Sequence, residues 1–130
     1  MKRDMDLIRN LLLEIEESEK PVVYIADLMA AERLQGIEQL DIDFHLKLLI
    51  EAGLIDANKK QGISTVGGWY IRQLTWNGHE FIDSIRDPEI WRKTKEGAST
   101  AGSWSIGLLK DLGTAYLKLK AKEVLGFDPG

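Results

Sequence analysis

Residues 38–60, EQLDIDFHLKLLIEAGLIDANKK, contain the signals of a helix, a helix stop and the start of a strand. Three aliphatic side chains recur at the spacing of one helical face: Ile42, Leu46 and Leu49. This spacing predicts a helix over Glu38–Ala52. Gly53 is expected to end that helix in the left-handed conformation, which glycine adopts without steric cost. Leu54 and Ile55 then begin an extended segment.

A β-hairpin is predicted after the glycine. Leu54–Asn58 and Trp69–Leu74 are both rich in strand-forming residues, and Lys59–Gly68 between them is polar and punctuated by glycine. We therefore expect two antiparallel strands joined by a long tip.

Upstream of this stretch, helical spacing predicts a first helix over Asp4–Glu17, and Pro21 prevents its continuation. For the residues that follow Pro21, the sequence does not decide between strand and helix. Val22–Ile25 favours a short β-branched strand, whereas Ala26–Gln35 favours a helix by propensity, with Asp27 as its cap.

Further helices are predicted downstream. Thr75 is a suitable cap for the next helix, and Asp87-Pro88-Glu89 restarts a helix with proline at its permitted first position. Gly97–Ser103 contains mainly small and polar residues, which is typical of a flexible connector. The last helix, Trp104–Val124, carries one continuous apolar stripe: Trp104, Leu108, Leu112, Tyr116 and Leu119.

The order of these elements predicts an α+β fold that is mainly α: a winged helix-turn-helix with a small antiparallel hairpin as its wing. Glu38–Ala52 takes the recognition position and Lys59–Gly68 the wing. Residues 1–96 form the predicted winged-helix domain, residues 97–103 the connector and residues 104–125 a C-terminal amphipathic helix. That helix either packs back onto the first helix or pairs with its copy in a homodimer.

Composition restricts the classes of function. The chain has 130 residues, a net charge of −4, no cysteine and two histidines. The absence of cysteine excludes disulfides, thiolate metal sites and cysteine nucleophiles. No apolar run approaches the roughly 18 residues of a membrane span, and the acidic start is unlike a presequence, so we expect a cytoplasmic protein. The sequence implies no cofactor.

Partial catalytic motifs favour structural roles. HEFID at residues 79–83 has an aspartate where a zinc hydrolase helix needs its second histidine. We expect Gly78 to permit close packing there and His79 to bond a backbone carbonyl. Asp41 and His45 lack a second pair to complete a metal site, which favours a partly buried, hydrogen-bonded histidine. No nucleophile-and-base arrangement is present, so the sequence predicts neither a metal site nor an enzyme.

Three motifs resemble a known family. HLKLLIEAGLI at residues 45–55 resembles the recognition-helix end of many bacterial winged-helix repressors, and LTWNGHEF at residues 74–81 resembles the start of their post-wing helix. With MKRDMDLIR at residues 1–9, the pattern over residues 1–93 resembles an uncharacterised family of small bacterial and prophage-encoded proteins. The resemblance implies a winged-helix fold and a phage or mobile-element setting. It implies no activity.

The predicted wing is the most basic block of the chain. Residues 54–76 hold three cations against one aspartate: Lys59, Lys60 and Arg72. Such a wing can follow a phosphate backbone, although lysines at a hairpin tip also prevent edge pairing. Trp69, after two glycines, is expected to be exposed as a contact residue, whereas Trp76 and Trp91 are expected to be buried beside helix starts.

The predicted recognition helix is acidic instead. Residues 21–53 carry six acids against two bases. The helix side that faces away from the aliphatic residues is predicted to show Asp43, Lys47 and Glu51, whose charges sum to one negative. This arrangement does not attract phosphates, although it equally fits a solvated face of a structural helix.

Two functions from different classes remain open. The first is a dimeric, non-enzymatic regulator that binds duplex DNA through six candidate residues: Gln39, Lys47, Lys59, Lys60, Trp69 and Arg72. The second is a module that binds and modulates a host protein through its acidic helix face. Its candidate residues are Asp43, Glu51, Trp104, Leu108, Leu112, Tyr116 and Leu119.

Overall fold

The computed structural model of the chain describes residues 1–60 and 68–127. In chain order its elements are α1 (Met5–Glu17), α2 (Ile25–Ala30), a 3-10 turn (Glu32–Leu34), α3 (Gln39–Glu51), β1 (Ile55–Lys59), β2 (Trp69–Leu74), α4 (Trp76–Ile85), α5 (Pro88–Ala101) and α6 (Ile106–Leu125). The predicted α+β class, mainly α with an antiparallel hairpin, is confirmed. The elements form two compact units, Met1–His79 and Glu80–Gly130.

The first helix begins at a side-chain cap. The carboxylate of Asp4 accepts hydrogen bonds from the backbone N–H groups of Asp6 and Leu7 at 3.0 and 3.2 Å. These bonds satisfy donors that have no partner inside the helix. The inner side of α1 is apolar and supplies much of the core of the first unit: Met5, Leu7, Ile8, Leu11, Leu12, Leu13 and Ile15.

The segment after α1, for which the sequence favoured both strand and helix, contains one β-bridge residue, Val23, followed by a short helix, α2. Val23 exchanges two backbone hydrogen bonds with Ile71, at 2.7 and 3.1 Å, so the strand expected at Val22–Ile25 is one residue long. Tyr24 caps α2, and the prediction of Asp27 as the cap is wrong. The Asp27 carboxylate lies one turn inside the helix and accepts the Tyr24 N–H at 2.9 Å, the second half of a capping box.

The predicted helix and its glycine stop are confirmed. Three aliphatic residues on the inner side of α3 are fully buried: Ile42, Leu46 and Leu49. Gly53 has φ +72°. In that conformation its N–H bonds the carbonyl of Ile50, and the N–H of Leu54 bonds the carbonyl of Leu49, each at 2.9 Å. The chain thereby turns from α3 directly into β1.

The predicted hairpin is also confirmed. β1 and β2 are antiparallel, with Ile55 opposite Leu74 and Lys59 opposite Trp69. Residues 61–67 of the expected wing tip lie outside the described residues.

The turn after the hairpin depends on close packing. Thr75 Oγ1 accepts the N–H of Gly78 at 3.0 Å, which confirms the predicted cap. A Cβ on Gly78 would lie 2.0 Å from the carbonyl oxygen of Leu54, so the predicted close packing there is confirmed as well.

In the second unit, α5 continues where a connector was expected. Asp87 caps this helix and Pro88 takes its first position, as predicted. The helix then extends to Ala101. The prediction of a flexible connector over residues 97–103 is therefore wrong for residues 97–101. The small residues have a packing role: Ala98 is fully buried, and a Cβ on Gly97 would lie 3.1 Å from Leu112 Cδ1 of α6.

The buried residues of the last helix are not those of the apolar stripe that the sequence predicted. The buried residues of α6 are Leu109 and Gly113, and a Cβ on Gly113 would lie 2.3 Å from the carbonyl oxygen of Ser84. Trp104 precedes the helix and Leu119 is 58% exposed. The stripe therefore is not one continuous packed surface. The sequence indicated the large side chains but gave no sign that the closest approach is at a glycine.

Candidate functional site

A buried carboxylate joins α3 to the hairpin. Asp43 is 3% exposed, and its Oδ1 accepts hydrogen bonds from Lys59 Nζ and Trp69 Nε1, both at 2.9 Å. Its Oδ2 lies 3.0 Å from the Nζ of Lys47 on the next turn of α3. One side chain therefore connects the helix to both strands. We call Asp43 with its three partners the Asp43 hub.

The hub keeps its carboxylate ionised. Burial by itself raises the pKa of Asp43, since a charged group is less stable away from water. Hydrogen bonds from Lys59, Trp69 and Lys47 outweigh burial and lower the pKa below the usual aspartate value. The hub is thus a structural ion cluster whose cations have an internal counterion.

The structure corrects two predictions at this point. Asp43 was expected on the outward side of the helix and is buried, because Lys59 and Trp69 of the hairpin cover it. Trp69 was expected to be an exposed contact residue and is 2% exposed, with the Lys59 ammonium 5.6 Å from its ring centroid. Its indole N–H finds a partner in the carboxylate, which allows the whole ring to be buried.

The basic residues expected to bind phosphates are largely occupied. Lys47 and Lys59 share Asp43. Arg72 bonds Asp56 through Nε and Nη2, at 3.2 and 3.1 Å, and bonds Asn58 Oδ1 at 2.7 Å. Asp56 offsets the charge of Arg72, and Asp43 offsets one of the two charges of Lys47 and Lys59.

The remaining nucleic-acid candidates are exposed. Gln39 is the first residue of α3, and Lys60 follows β1. Both have exposed side chains. The structure therefore does not bring the six candidates together on one open surface.

The outward side of α3 has an apolar centre. Leu40 is 53% exposed, Phe44 one turn later is partly exposed, and Lys47 and Glu51 are exposed beyond them. We call these four residues the α3 face. Sequence reasoning missed Leu40 and Phe44, although their spacing of four on a helix already placed them on one side.

Two further tryptophans, Trp76 and Trp91, are expected from the sequence to be buried. Trp91 is 5% exposed, as predicted, whereas Trp76 is 78% exposed and the prediction for it is wrong. Trp76 is the first residue of α4, where the Thr75 cap fixes the helix start without covering the ring.

The two histidines have structural partners. His45 is 1% exposed; its Nδ1 lies 2.8 Å from the carbonyl oxygen of Asp41, and its Nε2 accepts the N–H of Asp4 at 2.8 Å. These contacts give both ring nitrogens a hydrogen-bond partner and confirm the expected hydrogen-bonded histidine, which is fully rather than partly buried. His79 is exposed and lies 3.2 Å from Glu16 Oε2, so the expected backbone carbonyl partner is wrong.

Within residues 1–60 and 68–127, no three His, Cys, Asp or Glu side chains are grouped so that they could hold a metal ion.

Fold and site together define a small, mainly helical α+β protein with an ion cluster beneath an apolar helix face. Residues 2–104 match the model of a family described as "Hypothetical protein (DUF2513)". The chain belongs to the DUF2513 family. It is also similar to an uncharacterized protein of Haemophilus influenzae, with 33% identity over 111 residues that cover 85% of this chain and 87% of the relative.

These matches confirm the predicted resemblance to a family of uncharacterised proteins. No solved structure matches the chain. Among the described residues, none of the helices has the length and apolar character needed to cross a bilayer.

Proposed function

We propose that this protein is a non-enzymatic binding module that contacts a partner protein through the α3 face. One observation carries the proposal: the side of α3 that is open to solvent presents Leu40 and Phe44, while the Asp43 hub occupies the nearby cations. Protein interfaces are enriched in aromatic side chains such as Phe44, whereas a base-reading helix presents mainly polar donors.

The α3 face offers a partner two apolar side chains. Covering a fully exposed leucine or phenylalanine contributes roughly 1.5–3 kcal/mol, and Leu40, which is 53% exposed, can supply about half of that value and Phe44 less. Leu40 and Phe44 are adjacent on the helix, so one partner side chain or turn can cover both.

The charge around the face supports a basic partner. Glu38 precedes α3, Asp41 lies in its first turn and Glu51 ends it. The first unit as a whole, Met1–His79, has nine Lys and Arg against 13 Asp and Glu. Electrostatic attraction therefore favours a protein surface with Lys or Arg around an apolar centre. In the phage or mobile-element setting that the family resemblance implies, that surface belongs to a host protein.

The test is quantitative capture from cells that encode the protein. The wild type is compared with Leu40→Ser, Glu51→Lys and the matched control Trp76→Ser, which removes an exposed apolar side chain elsewhere. A partner of the α3 face should bind at least about tenfold more weakly to Leu40→Ser, because its leucine contact is lost. Glu51→Lys should weaken capture several-fold, and Trp76→Ser should leave it unchanged.

Other outcomes contradict the proposal. Equal capture by the wild type and Leu40→Ser excludes the α3 face, and loss with Trp76→Ser alone assigns binding to the start of α4. Circular dichroism of each variant separates loss of binding from loss of fold.

Duplex DNA binding is a second candidate, favoured by the order of the elements. Helices α2 and α3 followed by a hairpin, with Val23 bridging to β2, are consistent with a winged helix-turn-helix. In this version Gln39 and Lys60 contact the duplex. Mobility shifts at about 50 and 200 mM salt distinguish the candidates, since phosphate contacts weaken steeply with salt. Salt-sensitive binding that Lys60→Glu abolishes and Leu40→Ser preserves would favour DNA.

A further inference from the structure

A groove in the second unit lies between α5 and α6. It has a volume of about 220 Å3, and its apolar lining includes Ile90, Tyr116 and Leu119. Charged side chains border it from both helices: Glu89 and Lys93 from α5, Lys120 and Glu123 from α6. The groove therefore combines apolar residues with two acids and two bases.

The end of α6 beside this groove exposes an unusual amount of apolar surface. Leu119 is 58% exposed, Val124 74%, Leu125 56% and Phe127 58%. These residues fall within the last two turns of α6 and the residues just after it. Leu119 and Val124 line the groove itself, and exposed apolar side chains that border a groove are candidates for an interaction surface.

The charges at the groove rim favour a second copy of the chain as the occupant. We propose that a second copy of this chain covers the groove, with the two α6 helices antiparallel about a two-fold axis. In a two-fold interface each contact occurs twice, so a residue and its opposite must be complementary in both directions. Lys120 and Glu123 are three residues apart on one helical side, and an antiparallel copy places each Lys120 opposite the second copy's Glu123.

This charge pattern distinguishes a second copy from other occupants. Residues 80–130 contain eight Lys and Arg and eight Asp and Glu, so two copies of this unit have no net repulsion. A partner whose charge is all of one sign would meet as many like as opposite charges at the groove rim, so the rim gives it no net attraction. The bond from Lys120 Nζ to Asp87 Oδ2, 2.6 Å, does not prevent the contact, since an ammonium group has three donors. The proposal is independent of the α3 face.

The test is a charge exchange followed by sedimentation equilibrium on the full chain. Wild type should be dimeric. Lys120→Glu places two acids opposite each other and Glu123→Lys two bases, so each variant alone should dissociate at least about tenfold more readily. An equimolar mixture of the two variants should recover the dimer, because the heterodimer pairs acid with base at both positions. The variant with both substitutions should be dimeric as well.

A control separates this contact from a general effect of charge. Lys122→Glu changes the same charge on a different side of α6 and should leave the dimer intact. A monomeric wild type at about 200 μM overturns the proposal, because any dimer would then have a dissociation constant near or above the millimolar range. So does a mixture of the two single variants that stays monomeric while both remain helical by circular dichroism.

Discussion

The junction of α3 with the hairpin and the junction of α5 with α6 are held by opposite means. The first uses an added group: the Asp43 carboxylate reaches from the helix to Lys59 and Trp69 of the hairpin. The second uses missing groups: Gly97 and Gly113 lack the Cβ atoms that would separate the helices and the end of α4. A buried charge tolerates no loss of its partners, whereas close packing tolerates no gain of atoms.

The largest loss of stability is expected when the junction of α3 with the hairpin loses the Asp43 carboxylate. Asp43→Ala removes the buried carboxylate that pairs with Lys59, whose side chain is 19% exposed, and leaves a buried indole N–H without its acceptor. We expect a loss of about 3 kcal/mol in the free energy of unfolding, measured by urea denaturation with tryptophan fluorescence.

The matched control is Asp56→Ala, which removes the exposed aspartate that pairs with Arg72 on the same hairpin. It should change stability little, because solvent screens an exposed ion pair. Equal losses of unfolding free energy in the two variants would show that burial does not make the Asp43 ion pairs more stabilising than an exposed ion pair.

A smaller effect is expected where the second junction gains a methyl group. In Gly113→Ala the new Cβ would lie 2.3 Å from the carbonyl oxygen of Ser84, so α6 must move away from the end of α4. Overpacking of this kind should cost about 2 kcal/mol of unfolding free energy in thermal or urea denaturation, partly offset by the higher helix propensity of alanine.

Gly107→Ala provides the control on the same helix. Nothing lies within 4 Å of a Cβ at this position, so the substitution should cause no loss. If the two glycine variants are equally stable, the close approach at Gly113 does not hold the second junction.

The same contrast explains how far the sequence predicted the fold. Signals that act within a few residues were sufficient: the α3 periodicity, the positive φ of Gly53, the Thr75 cap and Pro88 at the start of α5 all agree with the structure. Each of these depends on local backbone geometry, which neighbouring residues largely determine.

The errors concern residues whose role depends on distant partners. Asp43 has the spacing of a surface residue, and only the hairpin, 16 residues later, makes it buried. Gly97 belongs to a small, polar stretch that is typical of a connector, and only the presence of α6 makes it a packing residue. The same reason separates the expected candidate site from the observed one, because Lys59 and Arg72 are basic in sequence and paired in space.

The smallest predicted effect is a difference in how the two junctions respond to low pH. The stability that the Asp43 hub contributes should decrease in acid, whereas the stability that the close packing at Gly113 contributes should not. Because the folded pKa of Asp43 is lowered, the folded state binds fewer protons than the unfolded chain as the pH falls below the usual aspartate value of about 3.9. The hub's contribution is fully present above that pH and is lost as the pH falls through the folded pKa. Asp43→Asn removes this group from the titration while keeping an oxygen acceptor for Trp69.

Urea denaturation at pH 5, 4 and 3 measures the difference directly. Asp27, Asp56 and Asp87 also have lowered pKa values, mainly because Lys20, Arg72 and Lys120 bond them, so both proteins should lose stability in acid. The difference in free energy of unfolding between wild type and Asp43→Asn should therefore decrease as the pH falls. The corresponding difference between wild type and Gly113→Ala should stay constant. Parallel curves for wild type and Asp43→Asn would mean that the carboxylate is not held ionised by its three donors.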